Sequence, residues 1–178
     1  MAENCCRGVK NGLDGNPSAQ DVLVEYLYLD NETCDRCISA ENALDGVMDV
    51  LSPALRMAGR RVAYRKTEVA TAEMAVRLRF EASPTIRVNG RDVCGEAEEN
   101  GCACCSEISG TDVTCRVFAW QGRTYEAPPA EMLAEAILKE AFAPAAAGNG
   151  KVYELPENLR KFFEGKSKKQ AASRPKCG

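Results

Sequence analysis

The apolar positions along the chain fall into runs of two periods. Val22-Leu23-Val24-Glu25-Tyr26-Leu27-Tyr28-Leu29 is almost continuously apolar and β-prone, the pattern of a central strand buried on both faces. From Cys37 onward, Ile38, Leu44, Val47, Met48, Leu51, Leu55 and Ala58 recur at steps that mostly fit one helical face, and Gly59 ends the run. Pro53 falls inside it. A proline there lacks a backbone donor and crowds the preceding turn, which predicts a kink or break near Leu51. Arg61 to Glu68 reads as a second strand, and Thr71 caps a short helix carrying Met74, Val76, Leu78 and Phe80. Thr85 to Val88 is a third strand, turning at Asn89-Gly90 into Arg91-Asp92-Val93. The predicted order to this point is βαβαββ.

Residues 94–115 show no periodicity and are expected to be irregular. Beyond them, Val117-Phe118-Ala119-Trp120 and Arg123-Thr124-Tyr125-Glu126 flank Gln121-Gly122 as a second hairpin. Pro128-Pro129 opens a helix from Ala130 to about Phe142. Residues 1–20 read as a flexible arm, 21–143 as one α/β domain with an insert at 94–115, and 144–178 as a linker, a short helix and a basic tail. Within the last part, Pro156 to Phe163 is expected to dock Leu155, Leu159, Phe162 and Phe163, with Gly165 to Gly178 disordered. There is no internal repeat.

Composition narrows the chemistry. Among 178 residues there are ten cysteines and no histidine, which excludes mixed Cys/His zinc sites, Ser-His or Cys-His nucleophile pairs and an imidazole base. Any metal must be held by sulfur or carboxylate. The start Met1-Ala2-Glu3-Asn4-Cys5-Cys6 lacks the basic and apolar regions of a secretory signal, and no stretch approaches a membrane span, so a cytoplasmic chain without membrane contact is expected. In a reducing cytosol most thiols stay reduced, which argues against a disulfide scaffold. From Lys151 onward there are eight basic and three acidic residues, leaving a formal −8 on the first 150. That acidic body, without a recognition motif, speaks against nucleic acid as a partner.

The candidate chemistry begins at Thr33-Cys34-Asp35-Arg36-Cys37. A Cys-x-x-Cys where a strand gives way to a helix sets the first sulfur over the helix N-terminus, whose partial positive charge favours thiolate. Cys34 would then be the attacking sulfur, and Cys37, one turn on, the resolving one. Arg36 lowers and Asp35 raises a nearby thiolate pKa, so the net poise stays open. The same spacing also serves as half of a four-cysteine zinc site completed by the later cysteines, or as a pair of inert thiols.

Together with Ser83-Pro84-Thr85-Ile86-Arg87-Val88-Asn89-Gly90, this motif resembles the thioredoxin superfamily over about residues 21 to 143. The resemblance implies a thioredoxin-like fold, a central mixed sheet flanked by helices, here with a cysteine-rich insertion and a C-terminal tail. It implies that Cys34 and Cys37 are the redox dithiol and that Pro84 is the cis-proline beside it. Thr33, Asp35, Arg36, Ser83 and Thr85 would lie around the substrate groove. The function it implies is thiol-disulfide exchange with a disulfide-bearing protein or small thiol, requiring no cofactor. With Cys104-Cys105-Ser106-Glu107-Ile108-Ser109-Gly110 added, the chain also resembles a prokaryotic thioredoxin-like family of unknown function.

The second thiol cluster, Cys94, Cys102, Cys104, Cys105 and Cys115, leaves three readings open. It could relay electrons to the dithiol as a second redox pair. Cys102, Cys104 and Cys105 could converge on a soft metal or metalloid ion, Zn(II), Cu(I), Hg(II) or As(III), because such ions prefer polarizable sulfur. Plain disulfides, for instance Cys94 with Cys115, could close the loop. Soft-ion binding, transfer or detoxification, as in metalloid resistance, is therefore the alternative to exchange. Cys5, Cys6 and Cys177 sit in the tails, as bystanders or as delivery arms.

Overall fold

The computed structural model describes residues 21–144 and 152–173. The expected arm at 1–20, with Cys5 and Cys6, and Cys177 in the tail lie outside the described residues.

The near-continuous apolar run forms β1 (Asp21–Tyr28), with Val22, Val24, Tyr26 and Leu27 all buried. It pairs in parallel with β2 (Arg61–Glu68), from Asp21 opposite Arg61 to Tyr28 opposite Glu68. A parallel pair needs a long crossover, here α1 (Asp35–Met57). On its other edge β1 pairs antiparallel with β3 (Thr85–Val88), and β3 turns at Asn89-Gly90 into the two-residue β4 (Arg91–Asp92). The first sheet is thus mixed, in the order β2-β1-β3-β4.

Of the kink or break expected at Pro53 the break does not occur: α1 continues through the proline. Leu51 and Leu55, on either side of the proline, are both buried, so packing holds the turn in spite of the missing donor. α2 (Ala72–Leu78) is capped by Thr71, whose hydroxyl accepts from the Met74 N–H at 3.2 Å. It ends where Arg79 turns left-handed at φ 51°, which drops Phe80 into the interior.

The insert is ordered structure, not the irregular segment its lack of periodicity predicts. It contains β5 (Glu98–Gly101), α3 (Ala103–Ser109) and the start of β6 (Thr114–Trp120). β6 pairs antiparallel with β5 and with β7 (Arg123–Tyr125) to make the second, three-stranded sheet. α4 (Ala130–Ala141) follows and packs on α1. The tail also departs from expectation: α5 runs from Glu157 to Ser173, where disorder is predicted from Gly165 onward. Leu159, Phe162 and Phe163 are buried beneath it and Leu155 is half-buried. Among the described residues the fold is therefore mixed α/β with five helices.

Two apolar clusters fill the interior. One lies among β1, β3, α1 and α4, around Tyr26, Leu44, Ile86 and Ile137. The other gathers Leu27, Leu29, Phe80, Val113, Leu159, Phe162 and Phe163 about five cysteines. Arg116 of β6 ties the second sheet to the first. Its buried guanidinium donates to Asp92 Oδ2 at 2.7 Å, Thr85 Oγ1 at 3.1 Å and the Gly95 carbonyl at 3.2 Å.

Candidate thiolate site

Asp30 shapes the approach to Cys34. Its Oδ1 accepts the backbone N–H groups of Glu32, Thr33 and Cys34 at 3.2, 2.7 and 3.1 Å, and the Thr33 hydroxyl at 2.9 Å. Burial works against the charged carboxylate, but these donors hold its pKa below the usual value. The turn delivers Cys34 to the N-cap of α1 in extended conformation. Cys37, within the first turn, has its Sγ 3.5 Å from Ser83 Oγ, and its carbonyl accepts the Tyr26 hydroxyl at 2.7 Å. The Ser83–Pro84 peptide bond is cis.

Cys34 is not the accessible sulfur that the motif alone predicts. Cys34 and Cys37 are both fully buried. Segments remote in sequence cover Cys34: the sulfurs of Cys34, Cys102, Cys105 and Cys115 all lie within 4.8 Å of one another. Cys105 Sγ donates to Cys34 Sγ at 3.7 Å, and Cys115 Sγ to Cys105 Sγ at 3.2 Å. Hydrogen bonds from Cys102, Cys105, Cys115 and Cys37 converge on the Cys34 sulfur and push its pKa down. Bonds from Cys105 and Cys115 bring Cys102 down to about 7. The donors move the other way: hydrogen bonding to Cys102 raises Cys105 and Cys115, and hydrogen bonding to Cys34 raises Cys37, each helped by burial.

The expected trio Cys102, Cys104 and Cys105 is thus corrected to a quartet without Cys104. The reason is helical geometry. Cys102 is the N-cap of α3 and Cys105 stands three residues on, along the same face, whereas Cys104 is turned away and half-exposed. The signal that finds this pair is its spacing, since Cys102-Ala103-Cys104-Cys105 is a second Cys-x-x-Cys. Cys94 belongs to the other apolar cluster, where burial and the Asp92 charge push its thiol up to about 12. That also separates it from Cys115, and all seven described cysteines are free thiols with no bridge closing the insert.

Of the expected groove residues, Thr33 and Asp35 are exposed, while Ser83, Pro84 and Thr85 are buried. The Ser83 carbonyl, the backbone group that would face an extended substrate, accepts the Arg116 N–H at 2.7 Å. Arg36 points at the segments that carry Cys102 and Cys115. Its guanidinium donates to the carbonyls of Gly101 at 2.9 Å, Cys115 at 3.3 Å and Asn100 at 3.4 Å, and pairs with Glu126 at 2.7 Å. One side chain in the first turn of α1 therefore holds the residue before Cys102 and Cys115 itself.

A mixed α/β chain that converges four buried cysteines from three separate segments is, by class, a cysteine-rich domain with a candidate soft-metal centre. A family model described as a domain of unknown function (DUF2703) matches residues 22–137, and the chain belongs to that family. The match spans Cys34, Cys37, Pro84 and all the insert cysteines, and it ends before α5. Neither a comparison with the curated proteins nor one with the solved structures returns a match. No helix among the described residues is long and apolar enough to cross a membrane.

Proposed function

We propose that the chain binds a soft metal or metalloid ion through the thiolates of Cys34, Cys102, Cys105 and Cys115. The observation that carries this reading is the convergence of four buried sulfurs within 4.8 Å. A tetrahedral zinc-thiolate site has metal-sulfur bonds of about 2.3 Å and so sulfur-sulfur edges of about 3.8 Å. The Cys105–Cys34 separation of 3.7 Å is close to that edge. The set suits Zn(II) or Hg(II) with four sulfurs, and three of them would serve As(III). Four thiolates around a divalent ion leave a charge of −2, and Arg36 brings a guanidinium beside the ligand segments. Binding releases the thiol protons, so occupancy should rise with pH.

The test is titration of the reduced protein with Zn(II), Hg(II) or As(III), followed by alkylation and mass spectrometry. Zinc should slow alkylation of Cys34, Cys102, Cys105 and Cys115 relative to the ion-free protein and leave the rates at Cys37, Cys94 and Cys104 unchanged. Cys105→Ser should abolish retention of the ion against a chelator. Absence of uptake, or uptake indifferent to that substitution, rejects the reading.

One observation favours a second reading, the thiol-disulfide exchange in a thioredoxin-like fold that the motif implies. Cys37 Sγ sits 3.5 Å from the Ser83 hydroxyl, beside the cis bond to Pro84, which is the neighbourhood such a dithiol uses. The mixed β2-β1-β3-β4 sheet is compatible with that fold. Against it stand the burial of both sulfurs and the internal partner of the Ser83 carbonyl. Cys37→Ser separates the two readings: it should spare ion binding, but it would eliminate disulfide reductase turnover if exchange is the activity.

A further inference from the structure

The four sulfurs of the quartet are 0–4% exposed, so an ion or a reagent reaches them only when some element moves aside. Most of the walls are tied down. β6 is paired along both edges, and α1 is clamped through Arg36 to the carbonyls of three residues. α5 differs. It lies outside the family match, and it completes the cysteine-containing cluster with Leu159, Phe162 and Phe163.

The seat of α5 is α3, the helix that carries Cys105 and starts from Cys102. It is held there by the buried Leu159, Phe162 and Phe163 and by hydrogen bonds made largely by side chains, and Lys166 pairs with Glu68 at 3.6 Å. Asn158 Nδ2 donates to the Thr114 carbonyl at 2.7 Å and to Glu99 Oε1 at 3.3 Å, while its Oδ1 accepts the Thr114 N–H at 2.9 Å. Thr114 immediately precedes Cys115. The Thr111 hydroxyl donates to the Lys161 carbonyl at 3.4 Å, and Lys169 Nζ to the Glu107 carbonyl at 2.6 Å. At Gly165 the two helices approach so closely that an added Cβ would stand 2.4 Å from the Ser109 carbonyl oxygen. That contact is with backbone, which cannot swing away, so this seat admits glycine alone.

We propose that α5 is a lid over the thiol quartet: seated, it retains a bound ion and shields the sulfurs, and lifted, it opens the path by which an ion enters or leaves. The ion-retaining role rests on the thiolate-binding reading, whereas the shielding of the sulfurs can be measured without any ion. Gly165→Val in the full chain forces the lid off its seat, and Asn158→Ala removes its anchor beside Cys115. Arg91→Ala, which breaks the distant Arg91–Glu140 pair, is the control.

In zinc-loaded protein, release to an excess of chelator should be about tenfold faster or more in Gly165→Val, moderately faster in Asn158→Ala and unchanged in Arg91→Ala, with the same zinc content in all. Equal release rates in wild type and the lid variants overturn the lid while leaving ion binding intact. If the wild-type chain takes up no ion, the binding reading fails, and the reaction of the ion-free thiols with a disulfide reagent decides. Faster labelling of Cys105 and Cys115 in the lid variants supports the lid, and unchanged labelling overturns it. If Gly165→Val does not fold, Asn158→Ala carries the same comparison.

Discussion

Around Leu44, Tyr26, Ile86 and Ile137, aliphatic and aromatic side chains from β1, β3, α1 and α4 fill the interior. Around Cys105 the centre is occupied by sulfur, and Leu159, Phe162 and Phe163 close it from a helix at the far end of the chain. The first region is held by area taken out of water, which is always present once the chain folds. Four thiols offer only small apolar volume and weak hydrogen bonds, so on the ion-binding reading the second region holds stability in reserve that a ligand would supply. On that reading the same molecule contains a frame indifferent to solutes and a lobe tuned to one.

The largest contrast should come from equilibrium unfolding with and without zinc. Leu44→Ala should cost about 2–5 kcal/mol in both conditions, because the cavity it leaves is the same. Cys105→Ala should cost only about 1 kcal/mol without metal. With zinc at about a thousand times its Kd, wild type should gain about 4 kcal/mol, a gain this variant should lack. Equal responses of the two variants to zinc would erase the distinction between the regions.

Arg36 sharpens the comparison at its boundary, since it reaches from the frame into the sulfur lobe. Arg36→Gln should weaken zinc about tenfold in competition with a chelator, and Arg36→Lys, which keeps the charge, should recover part of it. The absorption of the Co(II)-substituted protein should change shape in Arg36→Gln as the sulfur geometry relaxes. An unaltered spectrum and affinity would reduce the clamp to a surface tie. The smallest effect belongs to Thr71→Ala. It removes the α2 cap for about 1 kcal/mol in thermal or chemical unfolding and leaves zinc content untouched.

Local chemistry made much of the frame legible. The strand over Asp21–Tyr28, the cap at Thr71 and the Asn89-Gly90 turn each follow from residues within a few positions of one another. The failures have a common cause in long-range packing. Pro53 does not break α1 because buried leucines flank it, and α5 persists past Gly165 because that glycine meets α3 rather than solvent. Cys34 reads as an open nucleophile when only α1 is considered, and β6 and α3, some seventy to eighty residues away, are what enclose it. Cys102 and Cys105 are legible as candidate ligands, but their shared face emerges only with α3, and the absence of any apolar period hides that helix.

Cys34 is counted twice in this architecture, as the leading thiol of the first Cys-x-x-Cys and as a member of the quartet. A cysteine sulfur has one covalent bond left to commit beyond Cβ: joined to Cys37 in a disulfide it leaves three thiols to the quartet, and held by an ion it is not free to form that disulfide. Exchange at the dithiol and ion binding at the quartet would draw on the same sulfur and so would have to take turns.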